Sequence, residues 1–249
     1  MAVTPRPEVD SAYWTYVERS RLSRLLKVGA RREYEALIDF GCGRGEFLRG
    51  FCRSVNVRSV QGVDGSDDAV SLARGRGIAA FVANLNRDRV PFESESADVI
   101  LMIETIEHLE NVEHCLDEVR RVLKPGGDLF VTTPNLASWH GRVSLALGFQ
   151  PLSLDVGFRK HYGSIVTLSG RSAGHIRGFT KPALADMLES NGFRAEAWSG
   201  SPAVATGNSR ALTLLRLVDR VLSAFPSLAS ELVVHATRQL ETTSEERIP

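Results

Sequence analysis

Two glutamates and a histidine, Glu104, Glu107 and His108, follow the apolar run from Val99 to Ile103. A helical turn here would put all three on one face, because residues three and four apart are neighbours on a helix. Such a trio can hold a divalent cation through both carboxylates and the imidazole, or leave His108 alone as a general base. Upstream, Ile38 to Leu48 reads IDFGCGRGEFL, an apolar strand running into Asp39, Gly41, Gly43 and Gly45. Asp64 closes the next apolar strand, SVQGVD. Glycines packed this tightly let the backbone turn sharply and approach a ligand closely. An acid after the second strand is placed to accept from ribose hydroxyls. Together these residues describe a site for a nucleoside-containing cofactor.

Two cofactor classes compete for such a loop. A dinucleotide site calls for G-x-G-x-x-G, with pyrophosphate on the helix N-terminus. Here the spacing is G-x-G-x-G, Glu46 stands in place of the third glycine, and Asp39 precedes the loop. A carboxylate there repels pyrophosphate and suits a cationic, amino-acid-bearing ligand. The pattern resembles motif I of the class I S-adenosylmethionine (SAM) methyltransferases, and the resemblance extends over roughly Glu35 to Thr237. It implies that Asp39, Gly41, Gly43 and Gly45 line the methionine moiety and that Asp64 takes the ribose. Gly65 and Ser66 would pass beside the adenosine, and Asn84 and Leu85 would meet the adenine. Many members carry aspartate where this chain has Asn84, whose amide oxygen can still accept from an amino group. The stretches PFESESADVILM and LKPGGDLFVTTPN complete the family pattern.

Glu-x-x-Glu-His followed by a distant histidine resembles two groups of methyltransferases. These are the small-RNA 3′-terminal 2′-O-methyltransferases, where such residues bind a metal, and the ubiquinone-pathway O-methyltransferases. In both, a later histidine precedes a short stretch leading to the next helix, and His175-Ile-Arg-Gly-Phe-Thr180 fits that place. The resemblance implies a divalent cation (Mg, Mn or Zn) held by Glu104, Glu107, His108 and His175. Acidification of a bound hydroxyl by such a cation points to O-methylation; without one, His108 is the general base. The acceptor is then a hydroxyl of a small molecule. A sugar or polyol is favoured because TPNLASWHGR and the stretch after it resemble methyltransferases of glycan and natural-product pathways. A quinol or catechol, or a terminal ribose of RNA, are the alternatives. A methyltransferase-like regulatory scaffold is a different class, and the polar reaction end argues against it.

These residues need a scaffold that brings strand ends together. Apolar runs Ala36 to Phe40, Ser59 to Val63, Ile78 to Val82, Ala97 to Ile103 and Asp128 to Thr132 alternate with helical stretches. The helices run Glu46 to Ser54, Asp67 to Arg76 and Val112 to Leu123, the last stopped by Lys-Pro-Gly-Gly. This alternation predicts an α/β, Rossmann-like, mostly parallel sheet with helices on both faces and ligands at the strands' C-terminal ends. A helix over Lys181 to Asn191, the strands Phe193 to Ser199 and Glu231 to Thr237, and a bridging helix over Arg210 to Phe225 complete seven strands, the last antiparallel. Residues 1–34 form an expected helical cap, with a helix over Tyr13 to Lys27 whose arginines either meet solvent or face an anionic substrate or nucleic acid. Residues 35–249 form the catalytic domain, with a polar, disordered tail after about residue 240.

Asn135 to Thr180 breaks the alternation and is the expected lid, since long loops in compact domains are usually functional. Within it, Trp139, His140, His161 and Tyr162 are candidate substrate contacts, and Phe149 and Phe158 could pack an aromatic ring. Solvated histidines, and a Trp139 in the lid core, are the competing readings.

The chain has 249 residues, with 30 Lys and Arg against 30 Asp and Glu, a formal net charge of zero. That balance argues against a broad phosphate-binding face and hence against a nucleic-acid partner. Three cysteines, an odd number without metal-type spacing, predict a reduced, cytoplasmic protein. No apolar run approaches spanning length, so no membrane partner is expected. A homodimer through the N-terminal or bridging helix is the remaining partner expectation.

Overall fold

The computed structural model describes residues 16–165, 173–202 and 210–240. The expected tail after residue 240, and Tyr13 to Thr15 of the expected first helix, lie outside them. A seven-stranded sheet runs through the centre, formed by β1 (Glu33–Phe40), β2 (Asn56–Asp64), β3 (Ala79–Val82), β4 (Ala97–Ile103), β5 (Leu123–Pro134), β6 (Phe193–Ser201) and β7 (Glu231–Arg238). Its order is β3-β2-β1-β4-β5-β7-β6. β7 runs antiparallel to both β5 and β6, and the other pairings are parallel. The sequence expectation of a Rossmann-like, mostly parallel sheet is therefore met.

The two faces are covered by different helices. α1 (Tyr16–Val28), α2 (Glu46–Ser54) and α3 (Asp67–Gly75) close one face, where Leu25, Leu48, Phe51 and Val70 pack with Leu37 and Leu101. α4 (Val112–Val122) and α6 (Lys181–Ser190) close the other, where Leu116, Val119, Leu184 and Leu188 meet Ile38, Ile100 and Val131. A strand buried on both faces reads as a continuous apolar run, which is why β4 was legible as Ala-Asp-Val-Ile-Leu-Met-Ile. Each such side chain taken fully out of water contributes about 1.5–3 kcal/mol.

Two helices frame the C-terminal edge of the sheet, α5 (Trp139–Ala146) and α7 (Arg210–Leu222). α5 lies within Asn135 to Thr180, the stretch that breaks the alternation in the sequence. Ser138 caps it through its side chain, accepting from the Gly141 amide. The helix buries only the small residues Gly141 and Ser144, so no apolar stripe marks it in the sequence. α1 reaches across the top of the sheet and packs on β6 and β7.

Candidate active site

The cofactor loop forms because β1 ends in a turn that only glycine accommodates. Gly41 has φ 84°, and a Cβ there would sit 2.3 Å from Thr105 Oγ1. Its amide donates to Val63 O at 2.8 Å, tying the loop to β2. Gly43 has φ 51° and faces open space. Its amide and that of Ser66 donate to the two oxygens of Asp64 at 2.8 and 2.9 Å. Those bonds fix the Asp64 carboxylate at the edge of a cleft of about 360 Å³, lined by Gly41, Asp64, Gly65, Asn84, Leu85, Glu104 and His108, among others. Gly45 caps α2 in the left-handed conformation, and Ser66 caps α3.

Asp39 lies beneath this loop and is 3% exposed. Its Oδ1 finds no hydrogen-bond partner among the described residues. Burial, reinforced by nearby Asp64, pushes its pKa up to about 8. An isolated buried carboxylate is costly, and a cationic ligand is what would relieve it. The donor set therefore fits a nucleoside ligand bearing positive charge.

On the adenine side, Asn84 and Leu85 line the cleft, where the sequence expectation put them; the Asn84 side chain also has partners within the loop. Its amide oxygen accepts from the backbone and side-chain nitrogens of Asn86 at 2.9 and 3.1 Å, so the side chain shapes the loop at the cleft. Asn86 in turn accepts from the Glu110 and Asn111 amides at 2.7 and 3.0 Å. Sequence reasoning missed Asn86, since an Asx-type loop bond has no long-range signature.

The exit from β4 is a kink in place of a helical turn. Glu104 has φ 52°, a conformation strained for a residue with a side chain. The Thr132 carbonyl and hydroxyl both accept from its amide, at 3.1 and 3.2 Å, and Thr132 Oγ1 donates to Glu104 Oε1 at 3.0 Å. Only Ile106–His108 then turns, as a 3₁₀ helix. The kink separates the expected trio. Glu104 Oε2 pairs with Arg21 of α1 at 3.1 Å, and Arg21 also pairs with Glu231 of β7 at 2.6 Å.

Glu107, His108 and His175 do converge, with one ligand atom from each lying within 4.8 Å of the others. Glu107 is fully buried. Its Oε2 accepts from Thr133 Oγ1 at 3.0 Å, and its Oε1 has no hydrogen bond among the described residues. Burial, then the charge of Glu104, raises its pKa. His108 Nδ1 lies 3.0 Å from Gly174 O. A carbonyl only accepts, so Nδ1 carries a proton, and in the neutral imidazole Nε2 is the atom with the free lone pair. His175 is held low by burial, with His108 adding to the effect, and its Nδ1 is buried without a partner among the described residues. Glu107 Oε1 and His175 Nδ1 are thus buried without partners within a Glu–His–His cluster, a donor set that fits a cation.

A second group of residues positions this cluster. Asp155 Oδ2 accepts from the Gly174 and His175 amides at 2.8 and 3.0 Å, and its own amide donates to His175 O at 2.8 Å. His161 Nδ1 lies 3.0 Å from Asp155 Oδ1. His161 thus supports the strand of chain carrying His175. Trp139 and His140 are committed elsewhere, Trp139 Nε1 donating to Asp219 Oδ1 at 2.9 Å and His140 Nε2 lying 3.0 Å from Ser230 Oγ. Neither lines the cleft. Tyr162 lies exposed beneath Lys160. Asp155 gave no sequence signal because its partners are backbone amides 19 and 20 residues away.

A mostly parallel sheet with β7 antiparallel between β5 and β6, this glycine loop, an acid closing β2 and a polar cleft beside them define the class I SAM-dependent methyltransferase fold. A family profile described as a methyltransferase domain matches residues 13–197, and the chain belongs to that family. Among curated relatives, it is 30% identical over 103 residues to the ubiquinone biosynthesis O-methyltransferase of Sinorhizobium medicae, covering 40% of this chain and 41% of that protein. It is 31% identical over 125 residues to the demethylmenaquinone methyltransferase of Tropheryma whipplei, covering 49% and 48%. The chain thus spans less than half the length of these relatives. Among solved structures, it resembles one from a complex between the Haloferax volcanii Trm112 methyltransferase activator and a methyltransferase, with TM-score 0.64 and 15% identity over 90% of this chain and 91% of that one. A SAM-dependent methyltransferase from Thermotoga maritima gives TM-score 0.59 and 19% identity, covering 90% of each chain. At these identities the structural likeness speaks to fold alone.

Proposed function

We propose that the chain is a SAM-dependent O-methyltransferase acting on a small-molecule hydroxyl, with a divalent cation (Mg, Mn or Zn) held by Glu107, His108 and His175. The observation that carries the reading is the convergence of Glu107, His108 and His175, in which Glu107 Oε1 and His175 Nδ1 are buried without partners among the described residues and His108 lines the cleft. SAM supplies an electrophilic methyl group. A cation at this site supplies Lewis acidity that makes a hydroxyl a usable nucleophile and can align a diol. The protein's own part is alignment. Asp39 and Asp64 hold the cofactor, and Gly174 O fixes the His108 tautomer. Arg21 keeps Glu104 out of the cluster, at the wall of the cleft. A vicinal diol suits such a site, and a sugar or polyol is the acceptor class we favour. The relatives named for quinone biosynthesis support a catechol or quinol as the second reading.

The test is SAM turnover on sugar and catechol acceptors, with EDTA and with Mg²⁺, Mn²⁺ or Zn²⁺ added back. Chelation is expected to abolish transfer and one metal to restore it, with Glu107→Ala and His108→Ala both inactive. Transfer that survives EDTA and fails only in the histidine variant would replace the metal with His108 as general base. Asp155→Ala is expected to weaken metal binding by about tenfold to a hundredfold while the circular-dichroism melt persists. Calorimetric titration with the metal alone measures it, and an unchanged affinity would remove Asp155 from the positioning role.

A further inference from the structure

Helix α7 turns its apolar side away from the protein. Asp219 and Ser223 are fully buried, and Asp219 accepts from Trp139 Nε1 and Ser230 Oγ, so that side faces inward. On the opposite side Leu214, Leu217, Val221 and Phe225 recur at spacings of three and four residues and stand 57–63% exposed. A surface helix ordinarily buries such a stripe. A second group of exposed apolar residues lies on α5 and the chain after it. Trp139 ties α5 to α7, and beyond it Val143 and Leu147 are exposed one turn apart. The Gln150 amide donates to Gly163 O at 2.8 Å, and Phe149 and Tyr162 are both exposed.

The outward charges of these two segments have one sign. Residues 139–165 and 210–222 contain two acids, Asp155 and Asp219. Both are turned inward, Asp155 with a side chain 2% exposed and Asp219 fully buried. Arg142, Arg159, Lys160 and Arg220 are exposed. For a chain of zero net charge, this concentrates positive charge among protruding apolar side chains.

We propose that this face rests on an anionic lipid bilayer, with the α7 stripe at the headgroup–acyl boundary and the basic residues among the headgroups. A second copy fits less well, because pairing α7 with itself sets arginine near arginine with no outward acid between them. Nucleic acid fits the charge but leaves the apolar stripe unsatisfied. A protein groove would need to match one ridge, whereas here a helix and a separate aromatic loop both project. With 13 residues, α7 is too short to span, and no helix among the described residues is long and apolar enough to do so. The absence of a spanning run, which led to the expectation of no membrane partner, does not bear on a helix lying flat. The proposal is independent of the metal reading, although the same loop carries Asp155 and so adjoins the candidate site.

Co-sedimentation of the full chain with phosphatidylcholine vesicles, with and without phosphatidylglycerol, tests it. Binding to the anionic vesicles is expected to be at least about tenfold tighter than to the neutral ones and to weaken with salt. Replacing Leu217 and Val221 together by glutamate is expected to reduce it by about tenfold or more, with the thermal melt unchanged because both positions are exposed. Three results would overturn the proposal: no binding to anionic vesicles, equal binding by the double variant, or a dimer in sedimentation that the variant dissolves while vesicles are ignored.

Discussion

Replacing Arg21 by alanine is expected to destabilise the protein by about 3–5 kcal/mol, the usual result of removing one partner from a buried ion pair. Arg21 is 9% exposed, and Glu231 beside it is 4% exposed. The guanidinium reaches Glu231 through two nitrogens, at 2.6 and 3.3 Å, and Glu104 at 3.1 Å. Burial works against the Arg21 charge, but Glu231 and Glu104 more than offset it and raise its pKa. Burial also pushes Glu231 upward, while Arg21 pulls it down and Glu104 pushes it further up. Without Arg21, Glu231 would rise further and escape its penalty by taking a proton. A carboxyl whose folded pKa lies above its unfolded value loses stability as pH climbs from the unfolded pKa towards the folded one. In the variant that loss continues to higher pH, so the gap from the parent should widen between pH 5.5 and 8.5. Urea unfolding at both values measures it. Arg21→Met combined with Glu231→Gln should recover much of the loss, since the uncompensated charge is then gone. A gap independent of pH, with no recovery in the double variant, would show that packing alone makes Arg21 matter.

Asp39→Asn is expected to weaken SAM binding by about tenfold to a hundredfold at pH 7.5, the range for a hydrogen bond to a charged group. The variant should also abolish a pH dependence that the parent shows. In the empty protein the Asp39 pKa stands at about 8 because of burial and Asp64. A cationic ligand favours the ionised form, so binding expels the proton. Parent affinity should then rise roughly tenfold per pH unit between about 5.5 and 7.5, whereas the asparagine variant stays flat. Folding runs the other way. The native state holds this proton where the unfolded chain has lost it, so Asp39 lowers stability as pH rises from about 4 to about 8, and unliganded Asp39→Asn should be the more stable protein at pH 8. Calorimetric titration with SAM and thermal melts across pH test both signs. A parent profile as flat as the variant's would show that Asp39 does not face the cofactor's charge.

Much of this was legible along the chain. The strands were, because burial on both faces leaves runs such as Val99 to Ile103 with hardly a polar residue. The cofactor loop was, because glycine is nearly alone in tolerating the φ values at Gly41, Gly43 and Gly45. The polar site was legible in its residue types and less so in its grouping. Glu104, Glu107 and His108 have helical spacing, and the left-handed backbone at Glu104 breaks it. Arg21 reads as one of several arginines on a polar helix face, yet its partner Glu231 is 210 residues away, beyond the reach of any local pattern. Trp139 and His140 looked like lid residues because Asp219 and Ser230, which hold them, follow far downstream. Local chemistry was readable from the sequence, whereas the pairing of distant polar groups was not.

The ion pair across the top of the sheet also has a consequence for biogenesis. The ribosome makes Arg21 210 residues before Glu231, and β7 inserts between β5 and β6 only when that strand has emerged. Contacts between such distant segments form late, since the loop must close before they reward it. Until then Arg21 has no Glu231 to hold it, and Glu104 lacks the anchored guanidinium that fixes it at the cleft. A nascent chain would therefore carry the cofactor loop and the Glu107–His108 turn well before its catalytic wall is locked. Emergence of β7 becomes the step that finishes the site.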